Sequence, residues 1–245
     1  PIILNLSAWV VLPFMDTIAK YLSTELSFFQ ITWARYFFTV FWTLPLMFFF
    51  FRKSLRLSEN PRLQILRGLT LFSANICFFY SISIISMAKA LTLAFVAPLV
   101  TTALSPILLG EKVGIKRWTA VIVGFIGSLV VIRPGFIEFN LATVAALGTG
   151  CLYGVYLIIT RKLHSTDNPL LTLLLTGIVG ATVSTFFVPI VWVNPTNIQW
   201  LWLAIMGIFA CLGHILLIYS LRYADASKLA PFGYFEIITN IILGY

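Results

Sequence analysis

Long stretches of this chain carry almost no charge. Residues 168–221 contain no Asp, Glu, Lys or Arg, and residues 88–110 contain one charged residue, Lys89. A soluble core does not need apolar runs of this length, whereas about 20 apolar residues in a helix cross the roughly 30 Å hydrocarbon layer of a bilayer. The chain is therefore predicted to be an integral membrane protein, and its function has to be sought within its spans.

The composition supports this class and argues against several others. Of the 245 residues, 60% are hydrophobic and 10% are charged, whereas a typical soluble domain carries about 25% charged residues. The net charge of +8 comes from basic residues in short loops, so we predict no nucleic-acid partner. Cys77, Cys151 and Cys211 lie in apolar stretches without metal-ligand spacing, and we predict neither a metal site nor a cofactor.

The predicted fold is an all-α polytopic helix bundle with nine membrane spans joined by short connections. Each span is a run of mainly apolar residues, and no soluble domain or low-complexity segment separates them. The predicted spans cover residues 2–22, 28–51, 63–85, 88–109, 118–132, 141–159, 170–192, 200–219 and 227–245.

The basic residues are unequally distributed between alternate loops, which predicts an orientation. Cytoplasmic loops are enriched in Lys and Arg, so the N-terminus and the even-numbered loops are predicted to be cytoplasmic, in a bacterial inner membrane. The eleven basic residues beside even-numbered loops are Arg52, Lys53, Arg56, Arg62, Arg67, Lys112, Lys116, Arg117, Arg161, Lys162 and Arg222, and the three on the opposite side are Lys20, Lys89 and Arg133.

The two halves of the chain resemble each other. Residues 80–89 align without gaps on residues 219–228, at an offset of 139, and both segments begin with Tyr-Ser and end with Lys. Residues 20–24 similarly resemble residues 162–166, at an offset of 142. This period equals five spans, and an odd number of spans makes the second copy cross the membrane in the opposite direction. Inverted repeats are typical of secondary transporters, and the period predicts a tenth span after residue 245.

Four short motifs carry a resemblance to a known family. They are Ala88-Lys89-Ala90 leading to Ala97-Pro98, Leu108-Leu109-Gly110-Glu111-Lys112 after span four, Asp16 and Lys20 followed by Arg35, and Leu229-Ala230-Pro231 leading to Glu236. Together they resemble the EamA family of the drug/metabolite transporter superfamily. The resemblance covers the whole chain and implies two inverted five-helix repeats, residues 1–134 and 140–245, with nine of ten helices present. The chain departs from the pattern at Ile237, which stands where the first repeat has Pro98.

Charged side chains inside membrane spans are energetically unfavourable, so each is a candidate functional residue. At a rise of 1.5 Å per residue, Asp16 lies about 9 Å deep in span one and Arg35 about 12 Å deep in span two. A short loop joins the two spans, so we expect them to pack side by side and Asp16 to form an ion pair with Arg35. The pair is either purely structural or faces the substrate pathway.

Glu236 lies about 15 Å deep in span nine, near the midplane. The repeat does not explain it, because the equivalent residue is Ala97. A carboxylate at this depth has to bind a proton, a cation or a cationic substrate group, unless it is a protonated, hydrogen-bonded structural residue. His214 in span eight and its equivalent Asn75 in span three also lie near mid-depth, as substrate ligands or as satisfied core residues.

Aromatic residues and helix breakers complete the set of candidates. Tyr153, Tyr234 and Trp33 are suited to stacking on a substrate, although such residues are common in membrane helices. The spacing Gly150-x3-Gly154 permits close helix packing. Prolines within the spans, which free backbone hydrogen-bonding groups and can act as hinges, are Pro13, Pro98, Pro106 and Pro231.

The sequence predicts a secondary active transporter of a small organic metabolite that works by alternating access, as an exporter or a proton-coupled carrier. The alternatives are an uptake carrier or exchanger for a nucleoside-like or sulfonium metabolite, and an intramembrane enzyme or receptor. No metalloprotease, nucleophile-elbow or phosphate-loop motif is present. Expected partners are the substrate, the bilayer and coupling protons, and a homodimer stays open. The predicted substrate-binding residues are Asp16, Arg35, Asn75, Tyr153, His214, Tyr234 and Glu236.

Overall fold

The computed structural model describes residues 1–50, 58–132 and 140–243, and these residues are almost entirely helical, with no β-strand. Of the basic residues that predict the orientation, Arg52, Lys53, Arg56 and Arg133 lie outside the described residues. The helices are α1 (Ile2–Leu22), α2 (Phe28–Phe50), α3 (Pro61–Ile84), α4 (Met87–Ala94), α5 (Ala97–Leu109), α6 (Ile115–Ile132), α7 (Leu141–Lys162), α8 (Pro169–Phe187), α9 (Asn197–Tyr223), α10 (Ala226–Leu229) and α11 (Glu236–Ile242), with 3₁₀ segments at Val188–Val191 and Ala230–Phe235.

The prediction of a polytopic helical membrane protein is confirmed. Every predicted span coincides with a helix or a broken helix, although several ends differ by a few residues, and α9 extends beyond the predicted span on both sides. The six described segments that are long and apolar enough to cross a membrane are Ile2–Leu22, Pro61–Ile84, Met87–Leu109, Leu141–Lys162, Pro169–Val191 and Asn197–Tyr223.

Spans four and nine are interrupted, close to two of the prolines that the sequence identifies as possible hinges, Pro98 and Pro231. Span four divides into α4 and α5, and span nine divides into α10, a 3₁₀ segment and α11. Pro98 and Pro231 lie beside the two interruptions. Each lacks a backbone N–H and cannot donate a hydrogen bond to the preceding turn, which favours a break in the helix. The inner helices α5 and α11 begin at Ala97 and Glu236, which are equivalent positions 139 residues apart.

The helices pack in pairs that the repeat relates to each other. Helix α1 packs along α9, and the equivalent helices of the opposite halves, α7 and α3, pack along each other. Helix α2 contacts α9, and the equivalent helices of the opposite halves, α8 and α3, also contact each other. Helices α2 and α8 are themselves equivalent and pack together. Helix α5 lies against α7 in the same way as the second 3₁₀ segment and α11 lie against α1. Inverted repeats produce this pseudo-two-fold arrangement, which surrounds one centre with helices from both halves.

Two glycines of α7 allow a close approach to the interruption in span four. A Cβ atom on Gly150 would lie 2.4 Å from Val96 Cγ1, and one on Gly154 would lie 2.8 Å from Val100 Cβ. Any larger residue at either position would push α7 away from span four. The close packing predicted from the Gly150-x3-Gly154 spacing is therefore confirmed.

Equivalent contacts also join the first and third helix of each half. At the end of α1, Lys20 Nζ donates to the carbonyl oxygen of Ile82 in α3. At the end of α7, Arg161 Nη1 donates to the carbonyl oxygen of Leu221 in α9, at 2.8 Å. Ile82 and Leu221 are again 139 residues apart. Because α1 and α7 start the two inverted halves, the two contacts lie at opposite ends of the bundle.

Candidate functional site

A cavity lies at the centre of the bundle, between the two halves. Its space, including the open mouth, is about 940 Å³. Helices α1, α3, α4, α5, α7, α9, α10 and α11 contribute to its wall, which is mainly apolar. The polar and aromatic side chains that line it are those of Asn5, Trp9, Asp16, Asn75, Phe78, Phe95, Thr101, Thr149, Tyr153, His214 and Glu236.

The interruptions of spans four and nine meet beside this cavity. The hydroxyl of Tyr234 donates to the carbonyl oxygen of Phe95 at 3.3 Å, so one interruption satisfies a backbone group that the other leaves free. A Cβ atom on Gly233 would lie 3.3 Å from Pro98 Cγ, which places the two segments in close contact. Because Tyr234 is turned toward span four, it is not among the residues that line the cavity.

Two carboxylates face the cavity, Asp16 from α1 and Glu236 from α11. They are 6% and 8% exposed, respectively. Asp16 accepts no hydrogen bond from the described part of the chain, and Asn240 Nδ2 donates to the backbone carbonyl oxygen of Glu236 at 3.1 Å. Because both carboxylates line one mainly apolar cavity, their charges repel each other when both are ionised. Protons or a cation in the cavity would relieve this repulsion.

Arg35 does not pair with Asp16, and the predicted ion pair is wrong. Arg35 Nη2 instead donates to His214 Nε2 at 2.6 Å, and Arg35 Nε lies 3.2 Å from Met15 Sδ. The guanidinium also lies over the Tyr36 ring, 4.6 Å from its centroid. The prediction assumed that α1 and α2 pack side by side, whereas α2 packs mainly against α8 and α9. Arg35 is consequently buried behind the wall and does not line the cavity.

A chain of polar side chains runs behind this wall. Arg67 Nη2 donates to Tyr156 Oη at 2.8 Å, and Tyr156 Oη lies 3.1 Å from His214 Nδ1. The other ring nitrogen of His214 accepts from Arg35, so one histidine links two buried arginines. The sequence analysis placed Arg67 beside a cytoplasmic loop, but it is fully buried and also donates to Thr160 Oγ1 at 2.7 Å. The apolar residues before and after Arg67 in the sequence could have indicated that it is buried.

Asn75 and Tyr153 both line the cavity, but only Asn75 makes side-chain hydrogen bonds to other protein groups. Asn75 Nδ2 donates to Tyr36 Oη at 2.9 Å and to the Leu71 carbonyl oxygen at 2.7 Å. The Tyr153 hydroxyl is buried without a hydrogen-bond partner in the described residues. The Tyr153 ring contacts Trp9 edge to face, at 6.1 Å between centroids. An unpartnered buried hydroxyl in a cavity wall is a candidate ligand-binding group.

The structure brings most of the predicted site residues to one cavity. Arg35 and Tyr234 lie outside its wall, and Trp33 donates to Thr185 Oγ1 away from it. Asn5 and Trp9 in α1 also line the cavity but are not among the predicted site residues, although an Asn within an apolar span is a signal of a polar site. The predicted residues in the wall are Asp16, Asn75, Tyr153, His214 and Glu236.

A cluster of charged residues holds one end of the bundle together, at the loops after spans four, six and eight. Glu111 accepts a hydrogen bond from the backbone N–H of Ser227 at 3.0 Å and lies 3.6 Å from Arg161 Nε. Asp225 pairs with Arg117 at 3.1 Å and with Arg161 at 3.4 Å. We call these five residues the end clamp. It ties the start of span nine to helices of both halves.

The fold and the cavity define a class of protein. Related halves, interrupted spans and a cavity at the interface of the two halves are features of membrane transporters. Within the described ranges, no group of three or more His, Cys, Asp or Glu side chains is placed to hold a metal ion. The cavity wall carries two carboxylates, two amides, a histidine, hydroxyl groups and aromatic rings.

The chain belongs to the EamA-like transporter family, whose model matches residues 1–133 and 140–245. This confirms the resemblance found in the sequence. The chain is similar to the S-adenosylmethionine uptake transporter of Rickettsia bellii, with 30% identity over 94% of this chain and 79% of the relative. The corresponding protein of Rickettsia prowazekii is 29% identical over 94% of this chain and 78% of the relative.

Two more distant similarities are consistent with this family. The riboflavin transporter of Vibrio cholerae is 28% identical over 64% of this chain and 53% of the relative. One crystal structure superposes with a TM-score of 0.79, covering 98% of this chain and 87% of the other, at 18% sequence identity. At that identity the superposition establishes the shared fold alone.

Proposed function

We propose that the protein is a secondary active transporter that carries a small organic metabolite through the central cavity by alternating access. The observation that carries this proposal is that both interrupted spans meet at a cavity containing two carboxylates. Interrupted helices allow one half of an inverted repeat to rock against the other around a bound substrate. The end clamp would have to separate when the cavity opens toward its side of the membrane.

S-adenosylmethionine is the first substrate to test. Two relatives that cover 94% of this chain are named uptake transporters for this metabolite. S-adenosylmethionine carries a sulfonium group and an ammonium group, and Asp16 and Glu236 provide negative charge for such groups. The names of these relatives favour uptake over export, so uptake is the direction that we propose.

Glu236 is our first candidate for coupling transport to a proton gradient. A carboxyl group in a largely apolar cavity can be neutralised by a proton or by the cationic group of a substrate. If one carboxyl group holds a proton while the other binds the cationic group of the substrate, proton and substrate cross the membrane together, and a medium more acidic than the interior drives uptake. Asp16 lies in the same wall as Glu236 and would be the second of these carboxyl groups.

Transport by the full-length protein in proteoliposomes tests this function. Labelled S-adenosylmethionine and riboflavin would be offered separately, with and without an imposed pH gradient. We expect saturable uptake of S-adenosylmethionine, and accumulation above the external concentration only with the gradient. Protein-free liposomes are the control. Absence of saturable uptake of any member of a wider metabolite panel would contradict the proposed function.

We further propose that the protein lies in a bacterial inner membrane with its N-terminus in the cytoplasm. Glu59 and Asn194 are both exposed and precede α3 and α9, at opposite ends of the bundle. Glu59→Cys should resist an impermeant thiol reagent added to intact cells, whereas Asn194→Cys should react. Both variants should react after the cells are permeabilised. The opposite pattern in intact cells would reverse the orientation.

A further inference from the structure

Hydrogen-bond donors in the cavity wall are largely consumed by protein groups, whereas acceptors remain free. We propose that the cavity selects small organic cations that carry N–H or sulfonium groups, and discriminates against neutral molecules of the same shape. This proposal deepens the proposed function and rests on the central cavity being the substrate site. It follows from the partners of each polar side chain in the wall.

His214 has no hydrogen-bond donor left for a ligand. A guanidinium can only donate, so His214 Nε2 must accept the 2.6 Å hydrogen bond from Arg35. The ring is then neutral and carries its proton on Nδ1, which donates to Tyr156 Oη at 3.1 Å. Both nitrogens are occupied by protein partners. His214 therefore contributes an apolar ring edge to the cavity wall.

Buried Arg67 is also occupied by protein groups. Arg67 donates to Thr160 Oγ1 at 2.7 Å, to the Thr172 carbonyl oxygen at 3.2 Å and to Tyr156 Oη at 2.8 Å. Neither Arg67 nor Arg35 is part of the cavity wall. An anionic ligand would consequently find no guanidinium to form the bidentate contacts that usually bind carboxylates or phosphates.

The amide side chains of the wall leave mainly acceptors available. Asn75 Nδ2 uses both protons, at 2.9 Å to Tyr36 Oη and at 2.7 Å to the Leu71 carbonyl oxygen. The Asn75 Oδ1 atom remains as an acceptor. Asn5 Oδ1 accepts from Trp9 Nε1 at 2.9 Å, and Asn5 Nδ2 donates to Ser220 Oγ at 3.2 Å. The second N–H of the Asn5 amide remains free.

The remaining groups favour a cation. The carboxylates of Asp16 and Glu236 are acceptors, and the faces of Trp9 and Tyr153 are suited to a cation or a planar group. Besides the free N–H of Asn5, the Tyr153 hydroxyl is an unpartnered buried donor in the described part of the cavity wall. The cavity thus offers strong partners to positive groups and few to negative ones.

A matched pair of ligands tests this selectivity without requiring transport. S-adenosylmethionine and S-adenosylhomocysteine differ by one methyl group and its positive charge on sulfur. Their affinities would be measured by calorimetry on the purified full-length protein in nanodiscs. We expect S-adenosylmethionine to bind at least about tenfold more tightly, which corresponds to about 1.4 kcal/mol. Choline and its neutral isostere 3,3-dimethyl-1-butanol provide a second pair.

Variants connect the selectivity to the two carboxylates. Asp16→Asn and Glu236→Gln should each reduce the preference for the cationic member of both pairs. Glu59→Gln, which changes an exposed carboxylate outside the cavity, should leave the preference unchanged. If neither cation binds more tightly than its neutral counterpart, including the case in which nothing binds, the proposal is wrong.

The two proposals fail in different ways. Protein that prefers the cations but produces no flux in proteoliposomes would overturn the proposed transport function and support the selectivity. Protein that transports S-adenosylmethionine and S-adenosylhomocysteine equally well, with equal affinities, would support transport and overturn the selectivity.

Discussion

Spans four and nine occupy equivalent places in the two halves of the protein but differ in charge. Both are interrupted beside the cavity, and their inner helices begin at positions 139 residues apart. Helix α5 begins with Ala97 and Pro98, whereas α11 begins with Glu236, whose side chain faces the cavity. The shared interruption belongs to the scaffold, and the carboxylate is present in one half only. We infer that symmetry builds the cavity and that a departure from symmetry supplies its chemistry.

The outer ends of the same two spans differ as well. At the start of α4, the Ser86 hydroxyl accepts from the Lys89 N–H at 3.4 Å, so this end is capped by its own side chain. At the start of α10, Glu111 accepts from the Ala226 N–H at 2.9 Å and from the Ser227 N–H at 3.0 Å. Span nine is therefore capped by a charged residue from the other half. Four predictions test these differences.

Removal of the carboxylate of span nine has the largest expected effect. Glu236→Gln preserves the shape of the side chain but can no longer bind and release a proton. We expect this variant to fold and to retain substrate exchange, yet to lose accumulation against a gradient in proteoliposomes. Glu59→Gln should accumulate substrate normally. Accumulation at the original rate by Glu236→Gln would make this carboxylate structural.

A side chain at the contact between the two interruptions should destabilise the protein. A Cβ atom on Gly233 would already lie 3.3 Å from Pro98 Cγ, and the two methyl groups of Gly233→Val would crowd this contact further. We expect a loss of about 1–3 kcal/mol in the free energy of unfolding, measured by thermal unfolding in detergent. Gly127→Val is the control, because no heavy atom lies within 4 Å of a Cβ there. Equal melting temperatures for the two variants would refute the close contact.

Loss of the charged cap should affect span nine more than loss of the neutral cap affects span four. Glu111→Gln weakens the hydrogen bonds to α10 and the pairing with Arg161, which we expect to lower the unfolding free energy by about 1–2 kcal/mol. Ser86→Ala should lower it by only about 0.5 kcal/mol, because its hydrogen bond is long and exposed. Equal losses would indicate that the two ends are tied with the same strength.

The smallest effect is expected where the two interruptions share one hydrogen bond. Tyr234→Phe removes the hydroxyl that donates to the Phe95 carbonyl oxygen at 3.3 Å. For a neutral hydrogen bond of this length, we expect a loss of about 0.5 kcal/mol in unfolding free energy and unchanged substrate affinity. A large loss of substrate affinity in Tyr234→Phe would indicate that Tyr234 contacts the substrate, as the sequence predicts.

Several features of the site were accessible from the sequence. Asp16 and Glu236 were identified because a carboxylate is rare within a span and has to face a polar space. Asn75 and His214 were identified as equivalent polar residues, and both are in the cavity wall. Whether these residues bind substrate stays a prediction, although the structure places them around one cavity.

Other features depended on how the helices are arranged in space. A short loop joins α1 and α2, but loop length did not predict that α2 would pack on α8 and α9, where Arg35 meets His214. Tyr234 lies in a 3₁₀ segment with about 3.0 residues per turn, so an α-helical pattern predicts the wrong face for it. The sequence places Arg67 just inside span three, beside a cytoplasmic loop. Its burial could not be predicted, because its partners come from α7 and α8 rather than from its own helix.

By itself, the sequence determined that the chain is a bundle of membrane helices built from two related halves, and which span carries the unmatched carboxylate Glu236. These properties are local, since a bilayer requires long apolar helices and a repeat is visible as a fixed offset. Only the tertiary structure decided that Arg35 pairs with His214, that Tyr234 faces span four and that the donors of the wall are already occupied. The hydrogen-bond partner of a side chain depends on how its helix is rotated and on which distant helices it contacts. The pattern of hydrophobic residues along the chain specifies neither the rotation nor the contacts.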